Sequence, residues 1–450
     1  MKDMTKGDTR KLLITFAIPM IIGNIFQQMY NTTDAIIVGK YIGKNALAAV
    51  GVSNPIVALT TFFMMGLCIG MSILVSQFVG AKKYDELKRE VSTSLIMGSV
   101  FTAAISILCI LLSKKFLILM GTPTDILNDA NIFLKITFGG LIFTFLYNLY
   151  SSSLRSLGDS KTPLIFLIVS TILNGIFCIL LVAFLKMGIA GSAIATVISQ
   201  GIAAISCIIY VHLKIPEIRL GIKDLVVDMD LLKQTIQYSW LSALQQASLY
   251  IGRLLVQGII NPFGTNTIAA YNTVNRVDGF FLAPGDSFAA AVSTYSAQNK
   301  GAGEYERIKD GYYKANMLIV GFNLLVTFIV FFQAENIMRF FIQGSEKEVI
   351  KIGVEYLHKM SIFYILGGLG VPLQGLFRGV GNLKVTLIST ILSIVTRIAL
   401  SYMLTPFLGV TSVIYGTVIG WLFLVSFGTI MRIKYFKEID SKKSPIYKEI

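Results

Sequence analysis

Gln27, Tyr30, Asn31 and Asp34 are spaced so that the last three follow the first by three, four and seven residues, which is one face of a helix. The residues around them are apolar. That face would therefore hold amides, a phenol and one carboxylate against a medium that solvates charge poorly. A carboxylate in such a place is costly and is a functional candidate by default. Its chemistry is to take and release a proton, or to hold a cation, as its surroundings change. Asn174, Thr196 and Gln200 stand in two further apolar stretches. The Asn and Thr oxygens suit accepting from a protonated Asp34, or coordinating sodium beside its carboxylate. Interhelical hydrogen bonding is the plainer alternative. Tyr147, Asn148 and Gln200, with Gln27, Tyr30 and Asn31, are candidates for lining a substrate cavity. Pro19 removes a ladder bond from the first helix and should bend it, a gating position. The later half offers Arg253, Arg276, Asp278 and Arg397 as a polar network, with Arg276 and Asp278 expected to be linked. Asp286 follows Pro284-Gly285, where the helix is expected to break.

Other chemistries find no support. Cys68, Cys109, Cys178 and Cys207 lie in apolar runs without a CxxC pair. His212 and His358 do not make a metal site between them. No Walker lysine loop, HExxH or GxSxG pattern is present. The expectation is a protein that is not an enzyme and that carries no metal and no cofactor.

The elements that must position these residues follow from composition. The chain has 450 residues, 54% of them hydrophobic and 14% charged, against about 25% charged in soluble domains. Mean hydropathy is +0.70. Too little polar surface is available for a soluble fold. Runs of spanning length exclude a barrel, whose strands would alternate. Twelve apolar stretches of spanning length predict an all-α polytopic membrane protein. With the start of the chain placed inside, 26 of the 39 Lys and Arg fall on inner segments and 10 on outer ones. The positive-inside rule then puts both termini in the cytoplasm, with the chain in the inner (cytoplasmic) membrane. The net charge of +14 is accounted for by orientation and by anionic lipid, without nucleic acid.

The chain also repeats itself at an offset of 221 residues. Gly43, Asn45, Ala48-Ala49, Asn54 and Ser72 match Gly264, Asn266, Ala269-Ala270, Asn275 and Ser293. Gln77, Gly80, Ala81, Tyr84 and Lys88 match Gln298, Gly301, Ala302, Tyr305 and Lys309. Polar loop residues kept in register point to duplication of a six-helix half. Six is even, so both halves share one orientation, as in carriers built from parallel repeats. The expected organisation is an N-lobe over 1–212, a cytoplasmic linker over 213–233, a C-lobe over 234–435 and a tail over 436–450.

Pro19-Met20, Gln27, Tyr30-Asn31, Asp34 and Val38-Gly39 lead into Ala46-Leu47-Ala48-Ala49-Val50-Gly51 and then Val75-Ser76-Gln77. Together with Leu154-Arg155-Ser156-Leu157-Gly158-Asp159, Arg276-Val277-Asp278 and Gln298-Asn299, this pattern resembles the multidrug and toxic compound extrusion (MATE) family, nearest its DinF-type branch. The resemblance covers about residues 10–435. It implies two six-helix lobes around a V-shaped cavity and export of bulky, often cationic compounds in exchange for protons or sodium. It also implies cation coupling at Asp34, Asn174 and Thr196. That branch usually carries Asp four residues after the asparagine, where this chain has Cys178. One carboxylate favours protons over sodium. The expected partners are a small cationic or amphipathic substrate, H+ or Na+, and membrane lipid, with the chain a monomer. A lipid-linked oligosaccharide flippase of the same superfamily and a sodium-driven drug exporter are the alternatives; a membrane scaffold or sensor is a third.

Overall fold

The structure, a computed structural model, describes residues 2–281, 283–342 and 346–441. Among these residues it is helical, with no strand. The apolar runs explain why: hydrocarbon offers the backbone no partner, so each peptide group is satisfied within its own helix. In the first half, α1 (Thr9–Tyr41), α2 (Lys44–Ala81) and α3 (Tyr84–Leu119) are each continuous. α4 (Thr124–Gly139) and α5 (Leu141–Ser156) form one span bent by 43°. α6 (Lys161–Cys178) runs into a π-helical turn, Ile179–Phe184, and α7 (Gly188–Lys214) closes the half.

The second half repeats the plan with α8 (Met229–Ile260), α9 (Thr265–Phe281), α10 (Ala283–Gly301) and α11 (Tyr305–Phe341). α12 (Lys347–Ser361) and α13 (Tyr364–Gly379) form a second bent pair, at 56°. α14 (Leu383–Leu408) and α15 (Ser412–Ser441) follow. Of the described helices, seven stretches are long and apolar enough to cross a membrane, nine with the bent pairs. One of these stretches holds both α14 and α15. The more polar α8 and the α9–α10 pair complete twelve spans among the described residues. α9 ends at Phe281 and α10 starts at Ala283, running on through Pro284 and Gly285; the junction at Leu282, beside the expected break, lies outside the described residues. Of the expected tail, 436–441 continue α15, and 442–450 lie outside the described residues.

The duplication is visible in the backbone. Positive φ recurs at Gly43 (111°) and Gly264 (86°), at Lys82 (57°) and Gly303 (74°), and at Gly158 (84°) and Gly381 (79°). Each pair is 221 or 223 residues apart.

Contacts divide the chain into two units. Unit 1 holds 1–3 and 19–246; unit 2 holds 4–18 and 247–450. Two of the three borders, 18/19 and 246/247, fall inside helices, α1 and α8. In unit 1, one core gathers Met71, Val75, Val91, Leu149 and Val211, and another gathers Val38, Ala49, Leu117, Phe133 and Leu134. The first half of α8 packs closely on α2. A Cβ at Gly66 would lie 2.4 Å from Ala243 Cα, and one at Gly70 would lie 2.2 Å from the Ser239 nitrogen. Two glycines four residues apart thus form a groove that admits another helix backbone. Ser239 Oγ donates to the Leu67 carbonyl at 2.7 Å, and Trp240 meets Phe63 edge-on at 5.9 Å. Unit 2 has its own cores, around Val256, Val277, Val330 and Tyr364 and around Ile308, Leu376 and Phe377. There Met4 is buried: its amide donates to Gln298 Oε1 at 3.0 Å, and its carbonyl accepts from Asn299 Nδ2 at 3.1 Å. Thr9 donates to Asp310 at 2.7 Å.

Candidate functional site

The α1 face with Tyr30 and Asp34 meets α6 and α7 within unit 1. α7 enters at Gly188 and approaches the π-turn closely, where a Cβ at Gly191 would lie 3.1 Å from Leu181 backbone. This brings Ser192 to Asp34. Ser192 Oγ lies 2.9 Å from Asp34 Oδ1 and 3.1 Å from Oδ2, and donates to the carboxylate. The Cys178 thiol donates to Oδ1 at 3.3 Å. Cys178 is the last residue of α6 before the π-turn; such turns widen a helix and are frequent at functional sites.

One helical turn away, Asn174 Nδ2 donates to Thr196 Oγ1 at 3.4 Å. Asn174 is 1% exposed, and its Oδ1 is buried without a hydrogen-bond partner among the described residues. Tyr30, 8% exposed, turns its hydroxyl toward Thr196 without a direct hydrogen bond. Tyr30, Asp34, Asn174, Cys178, Ser192 and Thr196 therefore form one polar cluster. Asp34 has no Lys or Arg in ion-pair contact among the described residues. Asn174 and Thr196 bond to each other rather than to Asp34, whose direct partners are Ser192 and Cys178.

The other cavity candidates separate. Gln27 is exposed, and Gln200 is half-buried on α7 one turn beyond Thr196. The Asn31 side chain lies outside the described residues. The Tyr147 hydroxyl donates to the Pro163 carbonyl at 3.0 Å, and the Asn148 amide donates to Thr144 of its own helix at 2.8 Å. The phenol hydroxyl and the amide nitrogen are thus engaged locally. Pro19 stands inside α1 at the first residue of that helix assigned to unit 1.

In unit 2 the expected Arg276–Asp278 link is absent among the described residues. Side chains two apart on a helix point away from each other, and Arg276 is exposed. Asp278 instead accepts from the Tyr364 hydroxyl at 2.5 Å and faces Arg397, whose Nε is buried without a hydrogen-bond partner among the described residues. Arg253 is exposed and its charge faces Asp286. Tyr364→Phe should destabilise the chain by about 1–3 kcal/mol, because it leaves a carboxylate oxygen without its donor. A thermal melt of the detergent-solubilised protein reads this; an unchanged melting temperature would mean that the hydroxyl contributes nothing.

Among the described residues no cluster of His, Cys, Asp and Glu suits a metal, and the cysteines are free. The MatE family model matches residues 19–180 and matches again over 242–403. The chain belongs to the MatE family. The double match is the duplication seen from outside the sequence. MatE proteins are transporters, so this chain is a transporter and not an enzyme. A MatE relative from Bacillus subtilis, "Probable multidrug resistance protein YpnP", is 28% identical over 427 residues, covering 94% of each chain. Another from the same organism, "Probable multidrug resistance protein YoeA", is 29% identical, over 84% of this chain and 83% of its own. A solved structure described as the outward-facing conformation of a multidrug resistance MATE family transporter of the MOP superfamily covers 98% of this chain and 99% of that one. Its TM-score is 0.91 at 22% identity, which establishes the shared MatE fold.

Proposed function

We propose that this chain is a cation-coupled exporter of drugs or organic cations, working by alternating access and driven by protons through Asp34. The carrying observation is the Asp34 carboxylate, held by hydroxyl and thiol donors on a helix within the membrane. A carboxylate without a paired cation can gain and lose a proton with a net change of charge, which a carrier needs if an ion gradient is to drive it. The names of the Bacillus relatives, both multidrug resistance proteins, support the substrate class. Two lobes, 1–212 and 234–435, joined by the 213–233 linker, would alternate in the cytoplasmic membrane with both termini inside. The nearest branch is the DinF type.

Protons suit this cluster better than sodium. Sodium is a hard cation that favours several oxygen ligands, as calcium does. Here one carboxylate is present, and a thiol takes the place of a second oxygen donor. Cys178→Asp should therefore create sodium-stimulated transport, since two adjacent carboxylates supply the missing charge and oxygens. Absence of sodium stimulation in a folded Cys178→Asp variant would remove this position from the ion path.

The test is ethidium movement in proteoliposomes under a proton gradient or a sodium gradient imposed separately. Movement under the proton gradient alone supports the reading. Movement under sodium alone replaces the coupling ion. Movement under neither gradient rejects ethidium export, and a labelled lipid-linked sugar then tests the flippase alternative.

A further inference from the structure

A second carboxylate of unit 1 lies apart from the Asp34 cluster. Glu90, in the second turn of α3, is 0% exposed. Its Oε1 accepts from Ser94 Oγ at 3.0 Å and from Thr235 Oγ1 of α8 at 2.7 Å. Its Oε2 is buried without a hydrogen-bond partner among the described residues. No Lys or Arg pairs with it there. The acidic residue facing it is Asp228, in the turn before α8. Asp228 caps α8 by accepting from the Asp230 and Leu231 amides, both at 3.1 Å, and lies 3.9 Å from Arg89. The remaining charges of the neighbouring elements act elsewhere. On α3, Asp85 and Arg89 are exposed, Lys88 is half-buried and does not act on Glu90, and Glu86 pairs with Lys83; on α8, Asp230 and Lys233 are exposed. The 216–224 turns carry Glu217, Arg219, Lys223 and Asp224, none of which acts on Glu90. Arg155 of α5 faces Tyr147, Cys68 and Cys207. α2 has no acid or base between Lys44 and Lys82, and α4 packs on the far half of α3 through Ser113 and Asn131.

The hydroxyl geometry serves a protonated acid. Thr235 has one hydroxyl hydrogen and two acceptors in reach, Glu90 Oε1 and the Leu231 carbonyl at 2.8 Å. When Glu90 is an acid, its O–H donates to Thr235, and Thr235 donates to Leu231. Each atom of that chain then has a partner. Oε2 has no partner in either form; when Glu90 is an anion, Thr235 must turn to it, the bare oxygen carries charge, and the Asp228 carboxylate repels it. A buried anion without a cation is the costly state.

We propose that Glu90 is a second proton-binding site, whose acid form clamps the first half of α8 onto α3. On release, the O–H bond breaks, the electron pair stays on the carboxylate and the proton passes to water. Repulsion from Asp228 then loosens the segment from Val226 onward, where Ser92 and Thr93 hold the backbone of Val226 and Asp228. The site does not depend on what the protein carries.

Infrared difference spectra and amide hydrogen exchange of the full chain in lipid nanodiscs, scanned from about pH 5 to about pH 9, test this. The expected result is a carboxylic-acid C=O band that titrates, persists in Asp34→Asn and is lost in Glu90→Gln. Exchange over 226–246, corrected for its intrinsic pH dependence, should rise about tenfold as that band disappears, one pKa unit's worth of coupling. Glu90→Gln, which mimics the acid, should stay protected throughout. Thr235→Val, which lacks the hydroxyl relay, should exchange faster at every pH. Flat exchange in the wild type, a band unchanged by Glu90→Gln, or a pH step that survives that substitution overturns the proposal. Should Glu90→Gln fail to fold, the wild-type scan and Thr235→Val decide between the same outcomes.

Discussion

Asp34→Asn should reduce gradient-driven ethidium movement to the level of protein-free vesicles while leaving the fold intact. The two parts of that expectation have different causes. Asparagine is nearly isosteric and keeps a side-chain oxygen for the Ser192 hydroxyl, which now donates at 2.9 Å. Packing between α1, α6 and α7 therefore survives, and the melting temperature should stay near the wild-type value. An amide, however, neither gains nor loses a proton over the working pH range, so a cycle that needs a change of charge at this position cannot turn. Passive substrate binding should persist, because an apolar pocket relies on shape and contact area more than on one charge. The measurement is proton-driven uptake and equilibrium dye binding on the same preparation. Uptake that continues with its pH dependence unchanged would reject Asp34 as the coupling group. Loss of binding and melting temperature together would assign the residue to packing instead.

Gly70→Leu should strongly destabilise unit 1. A single Cβ at this position would sit 2.2 Å from the Ser239 nitrogen and 2.3 Å from its Cα. Those are backbone atoms of α8, so no rotamer change relieves the contact. Either α8 moves away from α2 or the pair does not form. Overpacking of well-packed cores costs about 1–3 kcal/mol where side chains can adjust; against backbone the upper end or more is expected. The bond from Ser239 to the Leu67 carbonyl and the Phe63–Trp240 contact would be lost with it. Gly51→Ala is the matched control. It also lies within α2, and its Cβ would meet nothing within 4 Å. There the gain in helix propensity should raise stability by about 0.5–1 kcal/mol. Thermal melts of both variants in one detergent would show a large fall and a small rise. Equal effects would mean that the α2–α8 contact does not limit stability.

Much of this arrangement was legible in the sequence because it depends on period and register. The helical face of Tyr30 and Asp34, the twelve spans and the duplication all follow from spacing. What escaped depends on the third dimension. Ser192 reads as a small packing residue in a Gly- and Ala-rich helix start, although its spacing of four from Thr196 put it on the same face. Glu90 sits beside Lys88 and Arg89 and reads as one more loop charge; only the covering α8 makes it a buried acid. Arg276 and Asp278 looked paired because they are neighbours in sequence, whereas helix geometry turns them apart. Tyr147 and Asn148 are legible as polar positions, but that the phenol and the amide nitrogen bond nearby carbonyls is not. The bends of 43° and 56° leave no mark in hydropathy, since both arms are apolar.

The division of α1 and α8 between the units has a consequence for how the chain is made. Residues 4–18 belong to unit 2, yet the amide of Met4 finds its acceptor on Gln298, 294 residues later. Unit 1 likewise lacks its contacts at Gly66 and Gly70 until α8 as far as Ala243 has been synthesised. Unit 1 therefore cannot finish packing when the first half of the chain leaves the ribosome, and residues 4–18 stay without their unit 2 partners until the second half is made. Residues 4–18 wait longest for their partners, and a chain halted within the 213–228 turn would leave both groups of contacts unmade.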